Sequence, residues 1–310
     1  MKAEALRALV EAAGVRPSRA SGQNFLVDEN LALAIARDGT SDDAPLVRPD
    51  GAQGGAHEAA AREDVVLELG TGPGVLTELL LPRAHHVLTV ELDARLAALS
   101  RERLGAADNL TLLEADALAN KNQLNPRVLE ALAPLLAGGR RLRVVANLPY
   151  AVATPLVVGL LAAPLPLSLM VVMVQLEAAE RFAAGVGHPQ YGAVSVLCAS
   201  LCARIKLLRK VPPDVFWPRP KVHSAVVRFE PRPGRQAGFE ALSSVVRALF
   251  NYRRKTVSRA AREVARREPH LAWIAEAVAR LDEEGVLEPR ARPEDLDVIG
   301  FSRVAALAPQ

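Results

Sequence analysis

Short apolar runs alternate with stretches of helical periodicity along most of the chain. The clearest apolar runs, which predict buried strands, are residues 65–69, 87–91, 110–113, 142–146 and 167–174. Between them, apolar residues recur at the three- and four-residue spacing of a helix with one buried face, as in residues 76–81, 94–104 and 128–136. Strands that alternate with helices predict a parallel sheet with helices on both faces. The expected fold is therefore α/β.

The rest of the pattern divides the chain into two domains. Residues 1–14 and 28–37 have helical periodicity, and residues 222–229 alternate like a late strand. Beyond Gly234 the chain is helical and basic, so we expect a sheet domain over residues 1–233 and a small helical domain over 234–310.

Two connections are longer than is required to link the predicted strands and helices. Residues 40–63 are rich in Ala, Gly, Asp and Pro and lack periodicity, which predicts a surface insertion. Residues 119–139 form a second insertion, and we expect it to contain a helix of its own.

An uncharged stretch at residues 151–174 is long enough to cross a membrane. Pro155, Pro164 and Pro166 interrupt it, so we expect a buried helix, a turn and a buried strand instead. The prediction is that the protein does not associate with membranes.

The composition indicates how large a hydrophobic core the chain can form and which cellular compartment suits it. The chain has 310 residues, half of them hydrophobic, which is enough for a large core. Its two cysteines, Cys198 and Cys202, are four residues apart on a predicted helical apolar face, which favours buried thiols over a metal site. Scarce cysteine and an N-terminus without an apolar signal core predict a cytoplasmic protein without a metal.

A glycine-rich turn follows the first predicted strand. Val65–Leu69 runs into Gly70-Thr71-Gly72-Pro73-Gly74 and then into a helix. The spacing differs from the Gly-x-Gly-x-x-Gly turn that binds a pyrophosphate, and Pro73 has no N–H to offer a phosphate. The turn alone is weak evidence for any one ligand.

Acidic residues follow the next two predicted strands. Glu91 lies about twenty residues after the glycines, where a carboxylate binds the hydroxyls of a ribose. Asp116 follows the third strand and can accept a hydrogen bond from an adenine amino group. Either could be an ordinary helix cap, but together with the turn they predict a nucleoside pocket without a phosphate cradle. S-adenosylmethionine fits that pocket better than NAD.

The tetrapeptide Asn147-Leu148-Pro149-Tyr150 follows the fourth predicted strand and is the most informative motif. The Asn147 amide oxygen and the Leu148 carbonyl can accept both hydrogens of an exocyclic amino group, and Tyr150 can stack on the base. A strand that ends in a proline turn is common, so the tetrapeptide needs the other motifs to identify a methyl-transfer site.

The net charge of +3 hides a strongly basic segment. Residues 204–268 contain 17 Lys or Arg and 5 Asp or Glu, a local balance of +12. Such a segment predicts a polyanionic partner, although a solvated helix face is the simpler alternative. We expect contacts with RNA phosphates from Arg219, Lys221, Arg247, Arg253, Arg254, Lys255 and Arg259.

Over nearly its whole length, the chain resembles the 16S ribosomal RNA adenine N6,N6-dimethyltransferases. The matching segments, in order, are Gly22-Gln23-Asn24-Phe25-Leu26, the glycine turn preceded by Glu68, Glu91, Asp116, the tetrapeptide at 147–150, Gln175-Leu176-Glu177 with Arg181, Tyr191-Gly192, residues 216–224 and residues 251–255. Two departures are the insertions at 40–63 and 119–139. Another is Ser21, where a larger apolar residue commonly stands.

The resemblance implies a Rossmann-like, seven-stranded S-adenosylmethionine-dependent methyltransferase sheet with a small C-terminal α-helical domain. It implies transfer of methyl groups from S-adenosyl-L-methionine to N6 of two adjacent adenosines near the 3′ end of 16S rRNA, late in assembly of the small ribosomal subunit. The cofactor site would be formed by Gln23, Asn24, Leu26, Gly70, Gly72, Glu91, Asp116 and Asn147. In the catalytic site, Asn147, Leu148 and Pro149 would hold the adenine, and Phe216 would stack on it opposite Tyr150.

Alternatives remain at this point. The erythromycin-resistance methyltransferases of 23S rRNA share the Gln-Asn-Phe-Leu and Asn-Leu-Pro-Tyr elements, although the long basic C-terminal region favours the small-subunit family. A non-catalytic assembly or transcription factor on the same fold is a second alternative. An NAD dehydrogenase is disfavoured by the turn spacing. With no interface pattern in the sequence, we expect a monomer.

Overall fold

The computed structural model describes residues 3–15, 17, 23–41, 63–120, 123–288 and 290–309. Most of the predicted insertion at 40–63, and the residues Ser21 and Gly22 of the first motif, lie outside these ranges. The second insertion is described except for residues 121–122, and it contains the helix predicted for it, Pro126–Leu135.

A seven-stranded sheet forms the centre of the fold, with two short two-stranded ladders beside it. The strands are β1 Phe25–Leu26, β2 Val65–Leu69, β3 His86–Glu91, β4 Leu110–Glu114, β5 Leu118–Asn120, β6 Gln123–Leu124, β7 Leu142–Asn147, β8 Leu167–Gln175, β9 Cys202–Val211, β10 Phe216–Trp217 and β11 Ser224–Pro231.

Helices occupy most of the remaining described chain. They are α1 Ala3–Ala12, α2 Glu29–Thr40, α3 Val75–Leu80, α4 Ala94–Leu104, α5 Pro126–Leu135, α6 Ala153–Ala162, α7 Leu176–Ala183, α8 Ala193–Leu201, α9 Phe239–Phe250, α10 Val257–Arg267, α11 Trp273–Glu283 and α12 Val298–Ala305. The predicted α/β fold with a seven-stranded sheet is confirmed.

The strand order in the large sheet is β4-β3-β2-β7-β8-β11-β9. β4, β3, β2, β7 and β8 pair in parallel, whereas β11 pairs antiparallel to β8. The central strands are buried along their length, as expected for parallel strands covered by helices on both faces.

Helix α2 packs closely on the sheet because its sequence provides a flat apolar face. Its buried residues are Ala32, Ile35, Ala36, Gly39 and Thr40. A Cβ atom at Gly39 would lie 2.3 Å from Val145 of β7, so no larger residue fits there without a shift of the helix. Asp28 caps the helix by accepting a hydrogen bond from the Leu31 N–H at 2.8 Å.

The chain divides into two compact units. The first, which we call the sheet unit, comprises Met1–Leu160, Leu165–Ala179 and Lys206–Pro231. The second, the helical unit, comprises Leu161–Pro164, Glu180–Ile205 and Arg232–Gln310. The helical unit therefore includes an earlier segment of the chain in addition to the C-terminal helices on which the predicted boundary was based.

One prediction about the cysteines is wrong. Cys198 lies in α8, but Cys202 is the first residue of strand β9, so the two do not share a helical face. Both are buried free thiols, as expected. Residues 193–203 are uncharged across the end of the helix and the start of the strand, so the sequence pattern does not mark the boundary between them.

No helix in the described part of the chain is long and apolar enough to cross a membrane. The uncharged stretch at 151–174 forms helix α6 and strand β8 with a turn between them, as predicted.

Candidate active site

The strand order places the carboxyl ends of β2 and β7 side by side. From β2 the chain continues to β3 on one side, and from β7 it continues to β8 on the other. Ligands of open α/β sheets bind in the crevice at such a reversal of strand order. Gly70 directly follows β2 and Asn147 ends β7, so two of the predicted motifs meet at this crevice.

Gly70 allows these two motifs to approach closely. Its φ angle is +81°, in the left-handed region that favours glycine. A Cβ atom at this position would lie 3.6 Å from Cδ of Pro149 and 3.7 Å from the carbonyl oxygen of Asn147. The glycine turn and the Asn-Leu-Pro-Tyr segment therefore form adjacent walls of one site.

The backbone N–H groups of the glycine turn are all bonded within the protein. The N–H groups of Gly70 and Thr71 both donate to the Val90 carbonyl, at 2.8 and 3.3 Å, and Gly74 donates to the Thr71 carbonyl at 3.0 Å. Gly72 donates to Oε2 of Glu91 at 2.8 Å, and the proline at 73 has no N–H. Since no donor of the turn is left to cradle a phosphate, this site does not have the chemistry of a pyrophosphate-binding turn.

Glu91 ends strand β3 with its carboxylate held from two sides. Besides the Gly72 bond, Oε1 accepts from the Asp93 N–H at 2.9 Å. The side chain is buried, and this burial raises the pKa of Glu91 although the backbone hydrogen bonds oppose the shift. A carboxylate oxygen can accept more than one hydrogen bond, so Glu91 retains the capacity to bind the hydroxyl groups of a ligand.

Beneath the turn, the carboxyl of Glu68 is only 1% exposed. Its Oε2 accepts from the hydroxyls of Thr77 at 2.6 Å and Thr89 at 2.9 Å, and Thr89 also bonds Thr71 at 2.6 Å. Burial raises the pKa of Glu68 to about 8, against the smaller lowering effect of the two hydroxyls. This network ties β2, the turn, α3 and β3 together.

The amide of Asn147 is oriented by the segment before α2. Its Nδ2 donates to the carbonyl of Asn24 at 3.0 Å, so Oδ1 is the end of the amide that can accept from a ligand. The next residue, Leu148, continues the strand pairing, because its N–H donates to the Met173 carbonyl at 3.1 Å. The backbone around Asn147 is therefore fixed by β8.

Tyr150 is half-buried at the same edge of the sheet. Its hydroxyl lies 2.7 Å from Oγ of Ser224, the first residue of β11. Burial raises the pKa of the phenol, so it is neutral at physiological pH.

These residues surround a pocket of about 440 Å³, within the usual range for small-molecule sites. The lining is formed by Gln23, Asn24, Phe25, Gly70, Gly72, Glu91, Leu92, Asp93, Arg95, Leu96, Asn147, Leu148, Pro149 and Tyr150. Most of the residues predicted for the cofactor and catalytic sites are among them.

Three predicted site residues do not line this pocket. Leu26 and Phe216 are buried partners in the ladder of β1 with β10, and both belong to a hydrophobic cluster of the core. Asp116 is exposed after β4, where its carboxylate accepts from the Leu118 N–H at 2.9 Å.

Other lining residues were missed by the sequence reasoning. Leu92, 68% exposed, follows Glu91 and presents an apolar side chain to the pocket. Phe25 covers the turn, since a Cβ atom at Gly72 would lie 3.2 Å from its ring. The sequence signal for Leu92 is its position, because it is an apolar residue between two acidic residues, Glu91 and Asp93, at the end of a strand.

The residues predicted to bind RNA are exposed. Arg219 and Lys221 lie between β10 and β11, and Arg219 pairs with Asp214 at 2.9 Å. The other five belong to the helical unit, in α9, in α10 or in the turn between them. Of these, Lys255 bonds Glu263 at 2.7 Å and Arg253 lies 3.6 Å from Glu294.

Comparison with known proteins shows which protein family the chain matches. The family model described as "Ribosomal RNA adenine dimethylase" matches residues 17–286. A protein of Pediococcus pentosaceus named Ribosomal RNA small subunit methyltransferase A is 37% identical over 96% of this chain and 92% of its own. A protein of the same name from Phenylobacterium zucineum is 35% identical over 97% and 91% of the two chains.

Solved structures have the same fold. A dimethyladenosine transferase from Plasmodium falciparum superposes with a TM-score of 0.66 at 22% identity, covering 90% of this chain and 95% of that one. The 23S rRNA methyltransferase ErmE superposes with a TM-score of 0.55 at 25% identity, covering 92% and 99%.

Proposed function

The chain belongs to the ribosomal RNA adenine dimethylase family, and we propose that it transfers methyl groups from S-adenosyl-L-methionine to N6 of two adjacent adenosines near the 3′ end of 16S rRNA, giving N6,N6-dimethyladenosines. The observation that carries this proposal is the Asn147 amide, which Asn24 orients beside the glycine turn with its oxygen available to accept. An acceptor there suits an adenine amino group that must lose conjugation with its ring before it can attack a methyl group.

The pocket fits S-adenosylmethionine in three respects. Its volume suits a ligand of that size, its glycine turn offers no donors to a phosphate, and Glu91 supplies a buried carboxylate for ribose hydroxyls. When bound, the cofactor supplies a methyl group that its sulfonium already activates. The contribution of the chain is therefore to position the reacting groups, and the proton that N6 loses with each methylation would pass to solvent.

The target adenine would be held by the Asn-Leu-Pro-Tyr segment. In the first transfer, Oδ1 of Asn147 and the carbonyl of Leu148 would accept the two N6 hydrogens, which directs the nitrogen lone pair toward the methyl group. In the second transfer, one of the two oxygens would accept the single hydrogen that remains on N6. The ring of Tyr150 would stack on the base. Alignment of this kind can supply several kcal/mol of the rate enhancement.

Phe216 was predicted to stack on the opposite face of the base. Its ring is 3% exposed in a core cluster, so we propose a supporting role for it. Through the pairing of Leu26 with Phe216 and of Phe25 with Trp217, it holds the strand that brings Phe25 to the glycine turn.

The basic residues would hold the RNA through its phosphates. Arg219 and Lys221 belong to the sheet unit, and Arg247, Arg253, Arg254, Lys255 and Arg259 belong to the helical unit. Such contacts fix the position of the RNA without reading its bases. We propose that the C-terminal helices bind the small subunit in this way and that the enzyme acts in the cytoplasm as a monomer, late in subunit assembly.

The preference for the small subunit is supported by the relatives that share 33–37% of their residues with this chain, because each carries the name Ribosomal RNA small subunit methyltransferase A. Methyl transfer from labelled S-adenosylmethionine to undermethylated small and large subunits, assayed in parallel, tests the proposal. N6,N6-dimethyladenosine in digests of the small subunit alone is expected. Label in the large subunit would instead indicate a 23S rRNA enzyme.

A further inference from the structure

A side-chain hydrogen bond crosses the end of strand β8. In the sheet, β8 lies between β7 and β11. Tyr150 lies three residues beyond the end of β7, and Ser224 is the first residue of β11. The 2.7 Å contact between the Tyr150 hydroxyl and Oγ of Ser224 therefore joins the segment that follows β7 to β11, which is not a neighbour of β7 in the sheet.

Ser224 is a rigid anchor for this bond. Its side chain is fully buried, so water cannot replace a lost partner. Its backbone pairs with Gln175 of β8, and the carbonyl of the preceding residue, His223, accepts from the Leu176 N–H at 3.0 Å. The hydroxyl is thus held by the sheet and not by a flexible loop.

The Tyr150 ring is consequently fixed at both ends. On the backbone side, the Val152 N–H donates to the Pro149 carbonyl at 3.2 Å and closes a turn around Tyr150. At the far end, the bond to Ser224 fixes the direction of the long axis of the ring. The ring also lines the pocket beside Asn147, so its direction determines where a stacked base would lie.

We propose that Ser224 is a positioning residue, whose hydroxyl holds the ring of Tyr150 in the orientation that stacks on the target adenine. This inference rests on the proposed function. It assigns the Tyr150 hydroxyl a role in orientation, whereas the stacking itself needs only the aromatic ring.

Three variants test the proposal: Ser224→Ala, Tyr150→Phe and the double variant, each assayed for kcat, for KM with RNA and for the Kd of S-adenosylmethionine. A small misplacement of a reacting group can cost up to about a hundredfold in rate, so we expect each single change to lower kcat roughly tenfold. The cofactor Kd should change less than about twofold. The double variant should be no slower than the slower single variant, because both changes remove the same hydrogen bond.

Ser168→Ala is the matched control. Ser168 lies at the amino end of β8, where its hydroxyl donates to the Leu142 carbonyl at 3.1 Å, so the variant removes a serine bond from the same sheet at the opposite edge. Its kcat should equal that of the unsubstituted protein.

The outcomes separate this inference from the proposed function. An unsubstituted protein that transfers no methyl group to either subunit would overturn the proposed function. If that protein is active, unchanged kcat in Ser224→Ala overturns the inference, and so does a double variant whose loss equals the product of the two single losses. If Ser224→Ala does not fold, Tyr150→Phe removes the same hydrogen bond by a change at the half-buried partner. Unchanged kcat in Tyr150→Phe would then overturn the inference.

Discussion

The polar groups at the carboxyl edge of the sheet are held by hydrogen bonds within the protein, whereas those of the basic turn between α9 and α10 are exposed to solvent. At the sheet edge, Glu68, Glu91 and Asn147 each have a hydrogen-bond partner within the sheet unit: Thr77 of α3, Gly72 of the glycine turn and Asn24 before β1, respectively. In the turn, Arg253, Arg254 and Lys255 are exposed, and Arg253 and Lys255 pair with carboxylates of the helical unit.

The difference matches two kinds of task. A group that must face a reacting atom gains from being held before the ligand arrives, since no reorganisation is then needed during the reaction. A cation that neutralises phosphate needs only to be near it, and exposed ion pairs are weak enough to exchange. We therefore expect substitutions at the sheet edge to act on specific steps, and substitutions in the turn to act on affinity alone.

The largest effect on binding is expected from Glu91→Ala. The change removes the carboxylate proposed to bind the ribose and leaves the N–H groups of Gly72 and Asp93 without their acceptor. Hydrogen bonds to a charged group contribute about 1.5–3 kcal/mol each, so affinity for S-adenosylmethionine should fall roughly a hundredfold or more in calorimetric titration.

Glu114→Ala is the control for this experiment. Glu114 ends β4 and is the register partner of Glu91, but its side chain is exposed. Its removal should leave cofactor affinity unchanged. Equal losses in the two variants would contradict the assignment of Glu91.

Glu68 should make stability depend on pH. Because burial raises its pKa from 4.5 to about 8, the folded protein holds this proton more tightly than the unfolded chain does. The contribution is fully present below pH 4.5, decreases as the pH rises and is lost above pH 8, with a slope of at most ~1.4 kcal/mol per pH unit.

Urea unfolding of the unsubstituted protein and of Glu68→Gln between pH 5 and pH 8 measures this contribution. Glutamine keeps the shape and cannot titrate, so the free energy of unfolding of the unsubstituted protein should fall relative to that of the variant as the pH rises. Parallel pH profiles would show that Glu68 titrates normally.

The smallest effect is expected in the basic turn. Arg254→Ala should weaken binding to a 16S rRNA fragment and reduce the slope of log K against log salt by about 0.7–0.9, the share of one phosphate contact. Arg280→Ala, an exposed arginine of α11 paired with Glu284, should leave the slope unchanged. A slope that is the same in Arg254→Ala as in the unsubstituted protein would remove Arg254 from the RNA surface.

The sheet was predictable where a strand is buried on both faces. Strand β2 was predicted with the bounds it has, and the predicted ends of β7 and β8 differ by one residue. Strand β9 was missed because it lies at the edge of the sheet and has no continuous apolar run. Only its first and last residues are fully buried, and Arg204, Lys206, Arg209 and Lys210 interrupt the pattern.

The site was predictable where a motif ends a strand. Gly70, Glu91 and Asn147 could be placed together from strand order alone, because parallel strands end at one edge. The direction of a side chain in a short ladder could not be predicted in this way. The pairing of Leu26 with Phe216 turns both into the core, and it is not visible in either sequence segment by itself. The Tyr150–Ser224 bond likewise joins residues 74 positions apart.

In the proposed mechanism, the Asn147 amide holds the target adenine for methyl transfer. The most direct test compares Asn147→Ala with the unsubstituted protein in two assays, single-turnover methyl transfer to small subunits and binding of S-adenosylmethionine. Loss of one preorganised hydrogen-bonding group typically costs on the order of a hundredfold in rate, and we expect at least that loss with less than a tenfold change in cofactor affinity. Methyl transfer at the unsubstituted rate by Asn147→Ala would contradict the account.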